Sequence, residues 1–230
     1  MIKAFLDLIY PRNCHGCGHK LLVQEQHFCI ACELQIPFTK FYKERENELY
    51  LMFRPHFPIE FGGSLMYFKK GSIVQHLLHQ VKYKNNVRLA GYLSDGMAGD
   101  LEHYLNHIEV PLDFLLPVPI DRRKRRKRGY NQSELLSASI AKEQSLAIDN
   151  KTLKSRLKRS SQTKKGRFDR WLNVSKTFHL VDQDSLANKH ILLIDDVITT
   201  GATVLSCIEQ LAKVKGIRIS VYSLAFADGI

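Results

Sequence analysis

Two adjacent carboxylates, a hydroxyl-rich turn, four paired thiols and an unbroken run of cations are the groups in this chain that could do chemistry. Asp195 and Asp196 end an apolar run at 191–194, and Val197, Thr199, Thr200, Gly201, Ala202 and Thr203 follow. Val204, Ile208, Leu211 and Ala212 then recur at helical spacing, so the stretch reads as a buried strand, a turn and a helix. Such an arrangement gathers the N–H groups of 199–203 and the positive end of the helix on one point, where a phosphate belongs. The aspartates cannot hold that phosphate, because like charges repel. Adjacent carboxylates at a strand end can accept hydrogen bonds from hydroxyls, and ribose has a pair of them. The plainer alternative is an ordinary strand–turn–helix with two solvated acids.

Cys14, Cys17, Cys29 and Cys32 follow the pattern C-x2-C-x11-C-x2-C. Four thiolates so spaced can close a tetrahedral zinc site that staples a segment too small to fold alone. A redox dithiol competes with this reading, and the presence of two knuckles rather than one speaks against it. His15, His19 and His27 are near enough to be rival ligands, but the complete quartet leaves them as surface residues.

The formal charge is +11, and its location says more than its size. Residues 121–170 hold 17 Lys/Arg against 5 Asp/Glu, a balance of +12, so the other 180 residues carry −1. Residues 122–128 are all basic and follow a strand at 114–118 whose exit is stiffened by Pro117 and Pro119. A loop leaving the same sheet edge as Asp195 would bring these cations, Arg122, Arg123, Arg126 and Arg128 among them, toward bound phosphates. Three readings stand: a clamp for pyrophosphate, a solvated basic loop, and a contact for the phosphate backbone of nucleic acid.

These groups need a scaffold. At 230 residues and 44% apolar composition, the chain can build one good core and a small satellite. Residues 1–60 are expected to form the four-cysteine zinc module and a connecting arm without periodicity, and 61–230 the main α/β domain. A short strand at 64–68 precedes a helix with Ile73, Leu77, Leu78 and Val81 inward, closed by the cations Lys82 and Lys84 near its negative end. A second helix covers 87–105. Asn131 with Glu134 caps a helix from 132 to about 146, with Leu135, Leu136, Ile140 and Ala147 inward. A polar, basic loop at 153–173 is where a lid over an anionic ligand would sit, with Trp171 as its anchor. An edge strand at 177–181 and a final strand at 217–226 complete the domain. No apolar run approaches the roughly 18 residues of a membrane span, and Asp7 interrupts the apolar N-terminus, which argues against a signal peptide. The C-x-x-C pairs suit a reducing compartment, and a cytoplasmic location is expected.

The turn at 191–203 resembles the phosphoribosyl-diphosphate signature of the type I phosphoribosyltransferases. That resemblance implies that Asp195 and Asp196 take the ribose 2′- and 3′-hydroxyls while 199–203 wrap the 5′-phosphate. Together with the Cys quartet, Leu116-Pro-Val-Pro-Ile120, Arg128-Gly-Tyr-Asn-Gln132 and the loop from Gln162-Thr163 to Trp171, it resembles the ComF family of phosphoribosyltransferase-like competence proteins. The resemblance implies a parallel sheet with helices on both faces, plus a small zinc-ribbon-like module. It also implies binding of phosphoribosyl diphosphate or a nucleotide with Mg²⁺, and a cytoplasmic role in natural transformation beside single-stranded DNA and other competence proteins. A working Mg-dependent phosphoribosyltransferase of nucleotide salvage is the alternative. Asp195 and Asp196 would then be catalytic residues.

Overall fold

The computed structural model describes residues 12–83, 86–155 and 178–227. The apolar N-terminus, Lys84, and the greater part of the expected lid with Gln162, Thr163, Phe168 and Trp171 lie outside them.

The chain begins with the cysteine knuckles and a one-turn helix, α1 (Ile30–Glu33). The expected arm then contains a short 3₁₀ turn and a helix, α2 (Glu48–Phe53). Asn47 caps α2 by accepting from the Tyr50 N–H at 3.0 Å, and its amide donates to the carbonyls of Phe41, Glu44 and Gly62. Leu49 and Phe53 are fully buried, so this segment is part of the core rather than a tether. β1 (Gly62–Phe68), α3 (Ile73–Tyr83), α4 (Val87–Leu105) and β2 (Phe114–Pro117) follow.

The basic run departs from expectation. It is a helix, α5 (Arg122–Arg128), and not a loop. Asp121 accepts from the Arg123 N–H at 2.6 Å at its start, and Gly129, at φ 84°, ends it in the left-handed conformation. α6 (Gln132–Gln144) is capped by Asn131, as expected, but Glu134 does not complete a capping box: both its oxygens accept from Arg125 at 3.1 Å. Ala147 is exposed at the start of β3 (Ala147–Ile148) rather than inward on α6. β4 (Leu153–Ser155) and β5 (Phe178–Leu180) pair antiparallel beside the main sheet. β6 (His190–Ile198), α7 (Ala202–Leu211) and β7 (Arg218–Ala227) close the described chain.

The main sheet is wholly parallel, in the order β1-β7-β6-β2-β3. Successive residues of a strand face opposite sides, and two glycines of β1 show what covers each side. A Cβ on Gly62 would lie 2.6 Å from Leu49 of α2, whereas one on Gly63 would meet Tyr104 of α4 at 2.8 Å. Helices therefore cover both faces. α6 shares the α4 side through Gln144, which donates to the Ala98 carbonyl, and α7 shares the α2 side through Gly201 against Met52 and Phe53.

This order creates an opening. From β2 the chain moves outward to β3, whereas from β6 it moves the other way to β7. The connections diverge at the carboxyl ends of β2 and β6, where open α/β sheets leave a crevice for ligands. Ladder pairing of β6 with β2 ends at Ile194 opposite Pro117, so Asp195 and Asp196 are the first residues of β6 without that neighbour.

Candidate functional site

Residues 191–194 are fully buried and fix the direction in which the next two leave the sheet. Asp195 and Asp196 sit half-buried side by side, with the Asp196 N–H donating to Asp195 Oδ1 at 2.8 Å. The Ser133 hydroxyl, on the first turn of α6, donates to the same oxygen at 3.3 Å. Burial first, and the Asp196 charge second, push Asp195 up to about 7; the Asp196 N–H, Lys82 and Ser133 oppose that rise without cancelling it. Lys82, at the end of α3, places Nζ 2.8 Å from Asp196 Oδ2. It therefore does more than complement a helix end: it is an ion-pair partner of the carboxylate pair.

Beyond Asp196 the chain turns through exposed Thr199 and Thr200 to Gly201, whose φ of 69° lies in the left-handed region. No side chain among the described residues caps α7, so its first N–H groups are offered to whatever occupies the small hollow lined by Asp195, Val197 and 198–204. Gly201 is required for a reason the sequence did not give. An added Cβ would lie 2.8 Å from Met52 Sδ and 3.1 Å from Phe53 Cε1, on the core side of the turn.

A cleft of about 460 Å³ adjoins this hollow and shares Asp195, Val197 and Thr203 with it. One wall is cationic: Lys82, Arg123, Lys124 and Arg128. Of the four arginines expected there, Arg123 and Arg128 line the cleft; Arg122 and Arg126 are exposed on α5 and do not. Arg128 is held in place, donating to Gln132 Oε1 at 2.8 Å and to Tyr83 Oη at 3.4 Å, with its guanidinium 5.3 Å from the Tyr83 ring centroid. Another wall is apolar, formed by Val118, Pro119, Ile120 and Phe178. A separate hollow of about 430 Å³, near Tyr42, Phe61 and His107, shares no residue with the cleft and mixes Lys43 and Arg45 with Glu44, Glu60 and Glu109.

At the other end of the chain, the four cysteine sulfurs lie within 4.8 Å of one another, and Cys17 and Cys29 are 3.7 Å apart. Four thiolates about 2.3 Å from a tetrahedral zinc would be roughly 3.8 Å apart, so the cluster fits a metal ion. Burial raises Cys14, but the N–H groups of Cys17, Cys29 and Gly16 outweigh it and bring the thiol to about 6, toward the thiolate a metal needs. His15 and His27 are half-buried rather than simple surface residues: their rings stack at 5.7 Å, and His15 meets Asn86 at 3.2 Å. Gln80 of α3 donates to the His15 carbonyl at 2.6 Å, which docks the knuckles onto the sheet domain.

No protein-family model matches the chain. It is 26% identical over 149 residues to the DNA utilization protein YhgH of Escherichia coli O157:H7, covering 64% of this chain and 65% of that one. Competence protein F of Haemophilus influenzae is 32% identical over 127 residues, 53% of each chain, and Competence protein ComFC of Bacillus subtilis 32% over 89 residues, 39% of this chain and 34% of that one. The chain is therefore similar to competence proteins of the ComF type. These matches span less than two thirds of each relative's length. Among solved structures, the chain is similar to an adenine phosphoribosyltransferase at 16% identity and TM-score 0.41, covering 63% of this chain and 74% of that one. The Trypanosoma brucei adenine phosphoribosyltransferase, solved with AMP, pyrophosphate and ribose-5-phosphate, gives 14% and 0.41, covering 70% and 82%. The fold rests on the chain's own strand order and on the turn after β6. Among its described residues, no helix is long and apolar enough to cross a membrane.

The sequence missed Lys82, Ser133 and Gln132. Ser133 and Gln132 belong to a helix start that was legible as such, but only the topology brings that start to Asp195. Lys82 had no local signal at all.

Proposed function

We propose that the cleft binds phosphoribosyl diphosphate or a nucleotide, and that the protein works in natural competence, handling incoming single-stranded DNA in the cytoplasm. One observation carries the reading: Asp195 and Asp196 stand between two anion sites, the uncapped start of α7 on one side and the Lys82, Arg123, Lys124 and Arg128 wall on the other. A ribose 5-phosphate bearing a second anionic group has that sequence of charges, with its diol in the middle. The names of the relatives support the DNA role. The exposed Arg122, Arg126 and Lys127, away from the cleft, support a surface for the phosphates of a strand. Zinc at the four cysteines is structural in this reading, and other competence proteins are candidate partners.

Mg²⁺ fits an acidic site taking a diphosphate, because it keeps water and phosphate oxygens as most of its ligands and asks few of the protein. When bound, it neutralises diphosphate charge. The chain's own residues would do the rest: the aspartates orient the ribose, and the cationic wall holds the diphosphate. The second reading is a phosphoribosyltransferase, and the apolar wall of Val118, Pro119, Ile120 and Phe178 favours it. A base could approach there while Arg123, Lys124 and Arg128 stabilise the departing pyrophosphate.

Calorimetry with ribose 5-phosphate, and with phosphoribosyl diphosphate and Mg²⁺, tests the binding reading. Asp195→Asn with Asp196→Asn is expected to abolish binding, and undiminished affinity would sink the assignment. Pyrophosphate release over a panel of bases decides the transferase reading. For the DNA role, affinity should fall with salt at a log–log slope of about 0.7 per phosphate neutralised. Arg122→Glu, Arg126→Glu and Lys127→Glu together should shrink that slope far more than they weaken ribose-phosphate binding.

A further inference from the structure

Gln132 is 1% exposed, yet its amide nitrogen has no hydrogen-bond partner among the described residues. The orientation of that amide is not arbitrary. Arg128 only donates, so the Gln132 atom 2.8 Å from its guanidinium must be the carbonyl oxygen, and the NH₂ group is the end left free. Tyr83 holds Arg128 from its other side, which keeps Gln132 from turning over. The residue opens α6, next to Ser133, whose hydroxyl reaches Asp195; Asn131 before it donates to the Val118 carbonyl at 3.0 Å. Gln132 thus lines the same cleft as the carboxylates and the apolar strip of Val118, Pro119, Ile120 and Phe178.

A buried N–H donor beside an apolar wall suits a flat ring that presents an acceptor. Charged oxygens already have four cations in this cleft, and an apolar strip has nothing to offer a diphosphate. Resting on the reading of the site given above, we propose that the cleft takes the base as well as the ribose phosphate, and that Gln132 selects rings presenting a keto oxygen over those presenting an amino group. An amino group there would set donor against donor and leave both unpaired.

The test uses pairs alike in ribose and phosphate: UMP against CMP, and IMP against AMP, by calorimetry on the full, zinc-loaded chain. The keto member of each pair should bind about tenfold or more tightly, the penalty for a buried unmatched donor. Gln132→Glu keeps an oxygen for Arg128 but replaces NH₂ with an acceptor. Its added charge weakens both members alike, so the ratio within each pair should invert. Gln132→Met should bring the ratio close to one. Circular dichroism and zinc content establish that each variant is folded, and the wild-type ratio stands as a test even if neither is. Equal binding within the pairs, a preference for the amino member, or a keto preference that survives both substitutions would overturn the proposal. So would a Gln132→Met variant that loses phosphoribosyl diphosphate while its base ratio is unchanged, since Gln132 would then serve the diphosphate. Failure of wild type to bind ribose 5-phosphate at all would instead remove the underlying reading of the site, and this proposal with it.

Discussion

The carboxylate pair stores charge that the fold would be more stable without, and Asp195→Asn should reveal it. Asp195 is raised from an ordinary 3.8 to about 7, chiefly by burial and then by Asp196. At pH values between these two the folded chain keeps a proton that the unfolded chain has lost, so stability falls as pH rises through that window. Above about 7 the full penalty is present. About three decades at about 1.4 kcal/mol each is about 4 kcal/mol, and since Asp195 is only half-buried and water screens part of that penalty, about 3 kcal/mol is a fair expectation. An asparagine oxygen can still accept from the Asp196 N–H and the Ser133 hydroxyl, so the variant loses the charge and keeps both bonds. Urea denaturation should find the variant and wild type equally stable near pH 4, with the variant ahead by about 3 kcal/mol at pH 8. In thermal unfolding that is roughly 6–12 °C for a chain of this size. A gap that is constant with pH, or a variant less stable at pH 8, would show that Asp195 is not a strained carboxylate.

Three further substitutions probe neighbouring parts. Lys82→Met leaves Asp196 without its ion-pair partner in surroundings where both side chains are less than one fifth exposed; it should cost about 1–3 kcal/mol at pH 8, measured by urea titration, and an unchanged midpoint would mean that the pair does not stabilise the fold. Gly201→Ala combines a left-handed φ with a methyl group driven toward Met52 and Phe53, and should lose about 1–3 kcal/mol by thermal unfolding. Unchanged stability would mean that the turn is not held in that conformation. Cys29→Ser should lose the roughly one zinc per chain that a single four-thiolate site binds, by elemental analysis, and full occupancy would place the ligands elsewhere.

What could be read from the sequence was whatever is local. The turn after β6 is strand, carboxylates, glycine and helix in one continuous stretch, and the four cysteines advertise themselves by spacing alone. α2 could not be read because six residues hold too little of a helical period; it exists because Asn47 binds three carbonyls and Leu49 and Phe53 find a core. α5 was missed for the opposite reason. Seven cations have no apolar period, although arginine and lysine are good helix formers and Asp121 and Gly129 are its punctuation. Lys82 and Asp196 are far apart in the chain, and only the strand order puts them together.

That the basic run is helical alters what it can do. In a loop, seven cations would spread and serve one ligand or another; on a capped helix, Arg123, Lys124 and Arg128 are turned to the cleft, Arg125 is tied to Glu134, and Arg122, Arg126 and Lys127 face elsewhere. A small anion in the cleft and a DNA strand outside can then bind together. They would still feel each other across a helix about 10 Å wide. At that distance in water, with a screening length of about 8 Å, each pair of charges is worth about 0.1 kcal/mol. A diphosphate opposite the three strand phosphates held by those outer cations makes about ten such repulsive pairs, so filling the cleft should weaken binding of single-stranded DNA by about twofold to fivefold near physiological salt. Mg²⁺, by neutralising the ligand, should reduce the effect, and raising the salt should remove it. Fluorescence anisotropy with a labelled oligonucleotide, at fixed salt with and without saturating phosphoribosyl diphosphate, measures this directly. Complete displacement of the DNA would mean that both ligands compete for the same face of α5, and no change at any salt would mean that the outer cations are not where the strand binds.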